Sequence, residues 1–167
     1  MTVSFVEHPL AAIFDSRSRI LILGSFPSVR TREVGFFYGH PRNRFWPLLS
    51  ALLGIDPPLS AREPERARNA LLDRRIALWD SIAACEISGS SDTSIRQVVP
   101  TDLSAIFSAA KIQHVFCNGA ASFRYFRKYQ ELPPGIGVSR LPSTSPANAA
   151  VTPEALFRSW SEILTYL

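Results

Sequence analysis

The chain has 167 residues, 46% of them hydrophobic, which suits one globular domain (residues 1–167) with a sizeable core and excludes a disordered polymer. Eighteen Lys and Arg, sixteen of them Arg, stand against fourteen Asp and Glu; the formal charge of +4 permits a nucleic-acid partner without requiring one. Two cysteines, Cys85 and Cys117, are too few for a zinc or iron–sulfur site, and neither a membrane-length apolar run nor a basic-then-apolar leader is present, so a soluble cytoplasmic protein is expected.

Residues 5–15, with Phe5, Val6 and Leu10 to Phe14, are expected to form a short helix. Ile20 to Leu23 follows as a buried strand closed by Gly24, and Gly24-Ser25-Phe26-Pro27-Ser28 makes a tight polar turn at its carboxyl end. Ten residues on come Phe36-Phe37-Tyr38 and then His40-Pro41-Arg42-Asn43-Arg44. Pro41 is placed to start a helix that runs to Leu53 on Phe45, Leu48, Leu49, Leu52 and Leu53, and Gly54 ends it. Residues 55–59 read as a surface loop, and residues 61–73 as a polar helix turning Ala67, Ala70, Leu71 and Leu72 inward.

Ile76 to Trp79 is the second strand, ending at Asp80, and residues 88–94 form a polar loop. Thr101 or Asp102 caps a helix reaching Ala110. His114 to Cys117 is the third strand, with Cys117 a small core residue; it ends at Asn118-Gly119, and a helix follows to Tyr129. Gly137 to Leu141 is the fourth strand and delivers the loop from Pro142 to Asn148. Thr152-Pro153 opens the closing helix, with Leu156, Trp160, Ile163 and Leu164 as one apolar stripe.

Strands alternating with helices predict an α/β fold, a three-layer α/β/α sandwich with a central four-stranded, mainly parallel sheet. Ligands then bind at the carboxyl ends of the strands, where the Gly24 turn, Asp80, Asn118 and the Pro142–Asn148 loop converge.

Three segments in this order, GSFPS from Gly24, FYGHPRNRFW from Phe37 and LPSTSPAN from Leu141, resemble the uracil-DNA glycosylase superfamily. Within it they are most similar to the DNA-deoxyinosine (hypoxanthine) glycosylase branch, over roughly four-fifths of the chain. A glycosylase must extrude a nucleotide, stack its base, read its Watson–Crick edge and break the C1′–N bond through an oxocarbenium-like transition state. A covalent route needs an amine, and Lys111 and Lys128 lie in none of the candidate loops, so direct hydrolysis without strand cleavage is expected.

The resemblance implies that Asn43 is catalytic, its amide donating to the leaving base and orienting a water; a polar residue in the first turn of a helix can also cap it or be solvated. It implies that Tyr38 stacks on the flipped base, although the three neighbouring aromatics also suit a core. Members that favour uracil carry Asp or Asn where this chain has Phe26, so ordinary uracil excision is not implied. Asp80 falls where relatives place a base-reading asparagine, and a carboxylate there would accept the N1–H of hypoxanthine and repel the N1 lone pair of adenine; it can also cap a turn or pair with an arginine.

Gly24, Ser25, Phe26 and Asn118 complete the expected base site. Ser28, Arg42, Arg44, Ser143, Ser145, Pro146 and Asn148 are the expected DNA contacts, with Ser143 standing where relatives often have histidine. Asp92 can position water or simply form a turn, and His40 is given no role. No metal or organic cofactor is required. The function implied is a monomeric, monofunctional glycosylase acting on DNA that contains deaminated bases. The alternatives are a uracil or mismatch glycosylase, or a catalytically idle binder of damaged nucleic acid.

Overall fold

The computed structural model describes residues 2–167. Its elements in chain order are β1 (Val3–Glu7), β2 (Ile20–Gly24), α1 (Val29–Val34), α2 (Phe45–Leu53), α3 (Pro64–Asp73), β3 (Ile76–Asp80), β4 (Ile82–Ser88), β5 (Arg96–Pro100), α4 (Ser104–Ala109), β6 (His114–Asn118), α5 (Ala120–Tyr129), β7 (Gly137–Leu141) and α6 (Pro153–Trp160), with short 3₁₀ turns between some of them. The four strands anticipated from the apolar runs form one sheet in the order β3-β2-β6-β7. Every pairing in it is parallel.

Side chains alternate across this sheet, which explains why its central strands read as unbroken apolar runs. Ile20, Ile22, Ile76, Leu78 and Phe116 pack with Phe45, Leu49, Leu71 and Trp160 of α2, α3 and α6. Leu21, Leu23, Ala77, Val115 and Cys117 face the other way, onto Ile106 of α4 and Phe126 of α5. The expected three layers are present, and Cys117 is a buried free thiol whose proton affinity burial pushes up to about 12.

Residues 5–15 are not a helix. β1 pairs antiparallel with β4, which pairs antiparallel with β5, making a second, three-stranded sheet that the sequence reading missed. β1 is exposed along most of its length and has no apolar stripe to announce it; its hydrogen bonds to β4 hold it. β5 is irregular, with register shifts against β4 and Gln97 at φ 53°.

Two helix boundaries also differ. α2 begins at Phe45 rather than Pro41, because the Asn43 side chain accepts the Phe45 N–H and the Arg44 N–H donates to the Thr144 carbonyl. The closing helix tightens to a 3₁₀ turn from Ser161 to Tyr166; a three-residue period keeps Trp160 and Ile163 inward and leaves Leu164 exposed. Asp102, not Thr101, serves the start of α4, accepting the Ser104 N–H at 2.9 Å. No helix among the described residues is long and apolar enough to cross a membrane.

Candidate active site

The carboxyl ends of β2, β3 and β6 open into a small cleft of about 110 Å³, modest beside the roughly 300–1,000 Å³ of sites for drug-sized ligands. Gly24, Ser25, Phe26, Ser28, Tyr38, Asn43, Asp80, Asn118, Ser143 and Ser145 all line it. Arg42, Arg44, Pro146 and Asn148 do not; Asn148 lines an adjoining hollow together with Ser143 and Ser145.

The floor is built around Gly24. Its carbonyl accepts the Ser81 N–H at 2.7 Å and that of Ser25 accepts the Ile82 N–H at 3.1 Å, so the turn is tied to the chain just past β3. A Cβ on Gly24 would overlap Asp80 Oδ1 and approach the Tyr38 hydroxyl to 3.1 Å, so glycine here lets those two groups come together.

Asp80 is almost fully buried, and its partner is neither a turn nor an arginine. His8 Nε2 lies 2.6 Å from Asp80 Oδ2. The Leu10 N–H donates to His8 Nδ1 at 3.0 Å, so Nδ1 is unprotonated and the ring proton sits on Nε2, donating to Asp80. The His8 side chain is 4% exposed and is enclosed by the rings of Phe26, Phe37 and Trp79. Nothing in the sequence signals this residue: it lies 72 positions from its partner and belongs to no motif.

Tyr38 departs from a simple stacking platform. One ring face already stacks on Phe45, with centroids 4.0 Å apart, and the backbone is held at φ 54°. Its hydroxyl is enclosed beside Asp80 with no partner of good geometry among the described residues. Desolvation, reinforced by the Asp80 charge, raises its proton affinity far above that of an ordinary phenol, so it stays a hydroxyl.

Asn43 Oδ1 accepts the Phe45 N–H at 2.9 Å, which fixes the amide and leaves its NH₂ without a partner among the described residues. Asn118 is partly engaged. Its Nδ2 donates to Thr144 Oγ1 and its Oδ1 accepts the Thr144 N–H, both at 3.0 Å, so it anchors the 142–148 loop and keeps one N–H for the cleft. Arg44 is likewise a loop clamp: its guanidinium donates to the Val151 carbonyl at 2.5 Å and the Asn148 carbonyl at 2.9 Å. The Asn148 side chain in turn donates to the Ser143 carbonyl.

Ser28 caps α1 by accepting the Thr31 N–H, Ser143 accepts the Ser145 N–H, and Ser145 accepts that of Ala147. Pro146 opens the short 3₁₀ turn behind them, and Arg42 is exposed. Asp92 stands at the rim, where Ser25 Oγ donates to its Oδ1 at 2.9 Å. One side of Asp92 is open to solvent, yet the surrounding chain raises its proton affinity above that of a free aspartate. Burial is the largest cause and the Asp80 charge adds to it, against the Ser25 hydrogen bond and the Arg124 charge.

The fold and the cleft define an α/β protein with a small, polar-lined cleft where its parallel strands end. The chain belongs to the uracil DNA glycosylase superfamily, whose family model matches residues 11–166. It is similar to a hypoxanthine DNA glycosylase of Methanosarcina acetivorans, 32% identical over 146 residues that cover 86% of this chain and 89% of that protein. A hypoxanthine DNA glycosylase of Methanosarcina barkeri is 34% identical over 117 residues, 68% of this chain and 71% of the other. A solution NMR structure of a candidate uracil DNA glycosylase from M. acetivorans superposes with a TM-score of 0.74 at 26% identity, covering 98% of this chain and 99% of that one.

Proposed function

We propose that this chain is a monofunctional DNA glycosylase that removes deaminated bases, hypoxanthine first, and opens base excision repair as a single-domain cytoplasmic monomer. The observation that carries the reading is the meeting, in one cleft, of the fixed Asn43 amide and the buried Asp80 carboxylate. The two Methanosarcina relatives bear the name of this activity.

The reaction adds water across the C1′–N bond: hydroxide joins C1′, the bonding pair leaves with the base, and the base takes up the proton. Asn43 donates from its NH₂ to the departing base, where negative charge develops, and the Phe45 N–H keeps that amide from rotating away. Asp80 accepts the N1–H of hypoxanthine; adenine offers a lone pair at the same place and is repelled. The ring face of Tyr38 opposite Phe45 covers the base while Phe45 backs it. Lys111 and Lys128 do not line the cleft, in keeping with hydrolysis without strand cleavage.

A carboxylate also accepts the N3–H of uracil, so a uracil glycosylase is the second reading the same residue supports. Labelled duplexes carrying one hypoxanthine, uracil, xanthine or normal base, followed by alkali, separate the two. Hypoxanthine release fastest is the expected result. Release from uracil alone supports the second reading, and salt-sensitive binding with no release would leave only a damage-binding protein.

A further inference from the structure

His8 is a buried polar side chain with a fixed tautomer among three aromatic rings, and the cleft does not include it. A phenyl ring would fill this space at no desolvation cost, so packing alone gives no reason for an imidazole. What the imidazole does is set by its two bonds. The Leu10 N–H occupies Nδ1, so the one proton the ring carries must point at Asp80 Oδ2. Asp80 Oδ1 is left on the side of Gly24 and Tyr38, which both line the cleft.

We propose that His8 is a positioning residue for base selection: its Nε2–H claims one acceptor of residue 80 and thereby fixes which edge that residue presents to the base. This rests on the reading of Asp80 given above. With aspartate, the presented atom is an acceptor, matched to N1–H. The same logic predicts an unusual result for Asp80→Asn. His8 would draw the new amide's oxygen to itself, turning the NH₂ toward the base, where it opposes N1–H. The mismatch therefore needs His8, and removing the imidazole as well would free the amide to flip back.

The experiment is a cycle of wild type, His8→Phe, Asp80→Asn and the double variant, each followed by single-turnover excision from a hypoxanthine duplex and by inhibition with free hypoxanthine. Asp80→Asn is expected to lower excision by about tenfold or more, the equivalent of one hydrogen bond to a charged group. Adding His8→Phe is expected to recover at least about threefold of that loss, an improvement that damage to the fold alone would not produce. A double variant as poor as Asp80→Asn, or poorer, overturns the role of His8 while leaving Asp80 as the reader. Wild-type excision by Asp80→Asn overturns the reading itself, and His8 with it. The ring ¹⁵N shifts of His8 in the unaltered protein test the premise separately: a proton on Nε2 is expected, and an Nε2 without one would end the proposal.

Discussion

The Asn43 side-chain Oδ1 accepts the Phe45 N–H, so substituting this residue alters the start of α2 as well as the cleft. Asn43→Ala should therefore lower single-turnover excision by a factor on the order of 10² or more. It should also lose about 1 kcal/mol of stability with the Phe45 N–H to Oδ1 hydrogen bond. Asn43→Asp keeps an acceptor for Phe45 but replaces the NH₂ donor with an anionic oxygen beside Asp80 and Asp92 in the cleft; it is expected to be at least as slow as the alanine variant while retaining the Phe45 hydrogen bond. A wild-type rate for Asn43→Asp would remove the NH₂ from the mechanism. Asp92 gives a pH-dependent counterpart. Its raised proton affinity means that the ionised form opposes folding at neutral pH, and that this cost disappears as pH falls and the folded state takes up the proton. Asp92→Asn should raise the thermal midpoint at neutral pH by on the order of 1 °C, small because the residue is open to screening solvent, and should leave it unchanged in acid. Calorimetry at the two pH values checks the sign.

At the scale of elements, the loop from Pro142 to Val151 is shaped from behind by Arg44 and Asn118. A lysine offers one point charge where Arg44 bridges two carbonyls, so Arg44→Lys is expected to cost about 1.5–3 kcal/mol and to expose the loop to protease. Thermal melts and limited proteolysis would show it; an intact melt would mean the clamp is idle. That role was invisible in the sequence, because HPRNRFW presents Arg44 as one more cation, and the carbonyls it holds lie more than a hundred residues away. The parallel sheet was legible for the opposite reason. Ile20 to Leu23 and His114 to Cys117 are covered on both faces, so burial writes itself into the composition of each run. β1 and β5 are mostly exposed, and they form through pairing partners that no local pattern announces. The same contrast divides the cleft. Gly24, Tyr38, Asn43 and Ser143 sit in motif segments and were found there, whereas His8 reaches Asp80 from a strand whose existence was missed.

At the scale of the whole molecule, the formal charge of +4 is small, and its placement matters more than its size. Among the described residues, Arg17, Arg30 and Arg66 are the arginines paired with carboxylates, and the Arg17 and Arg30 side chains are largely exposed. A groove that shares Tyr38 and Asn43 with the cleft is lined by Arg30 and Arg62, and the hollow on the loop side is lined by Arg140. A strand laid across the cleft would thus meet guanidinium groups on both sides of the extruded nucleotide. Neutralising three or four phosphates corresponds to a slope of roughly −3 to −4 in log affinity against log salt, a loss on the order of 10² for a fourfold rise in salt. Arg42, exposed next to Asn43 in the chain, should contribute about one unit of that slope, so Arg42→Ala flattens it and weakens binding alike on hypoxanthine and normal duplexes. Arg44→Lys, whose guanidinium bonds lie within the protein, should weaken binding without flattening the slope. Titrations of a fluorescent duplex across a salt series read both quantities. An unchanged slope for Arg42→Ala, or a changed one for Arg44→Lys, would mean that the DNA path runs elsewhere on the surface.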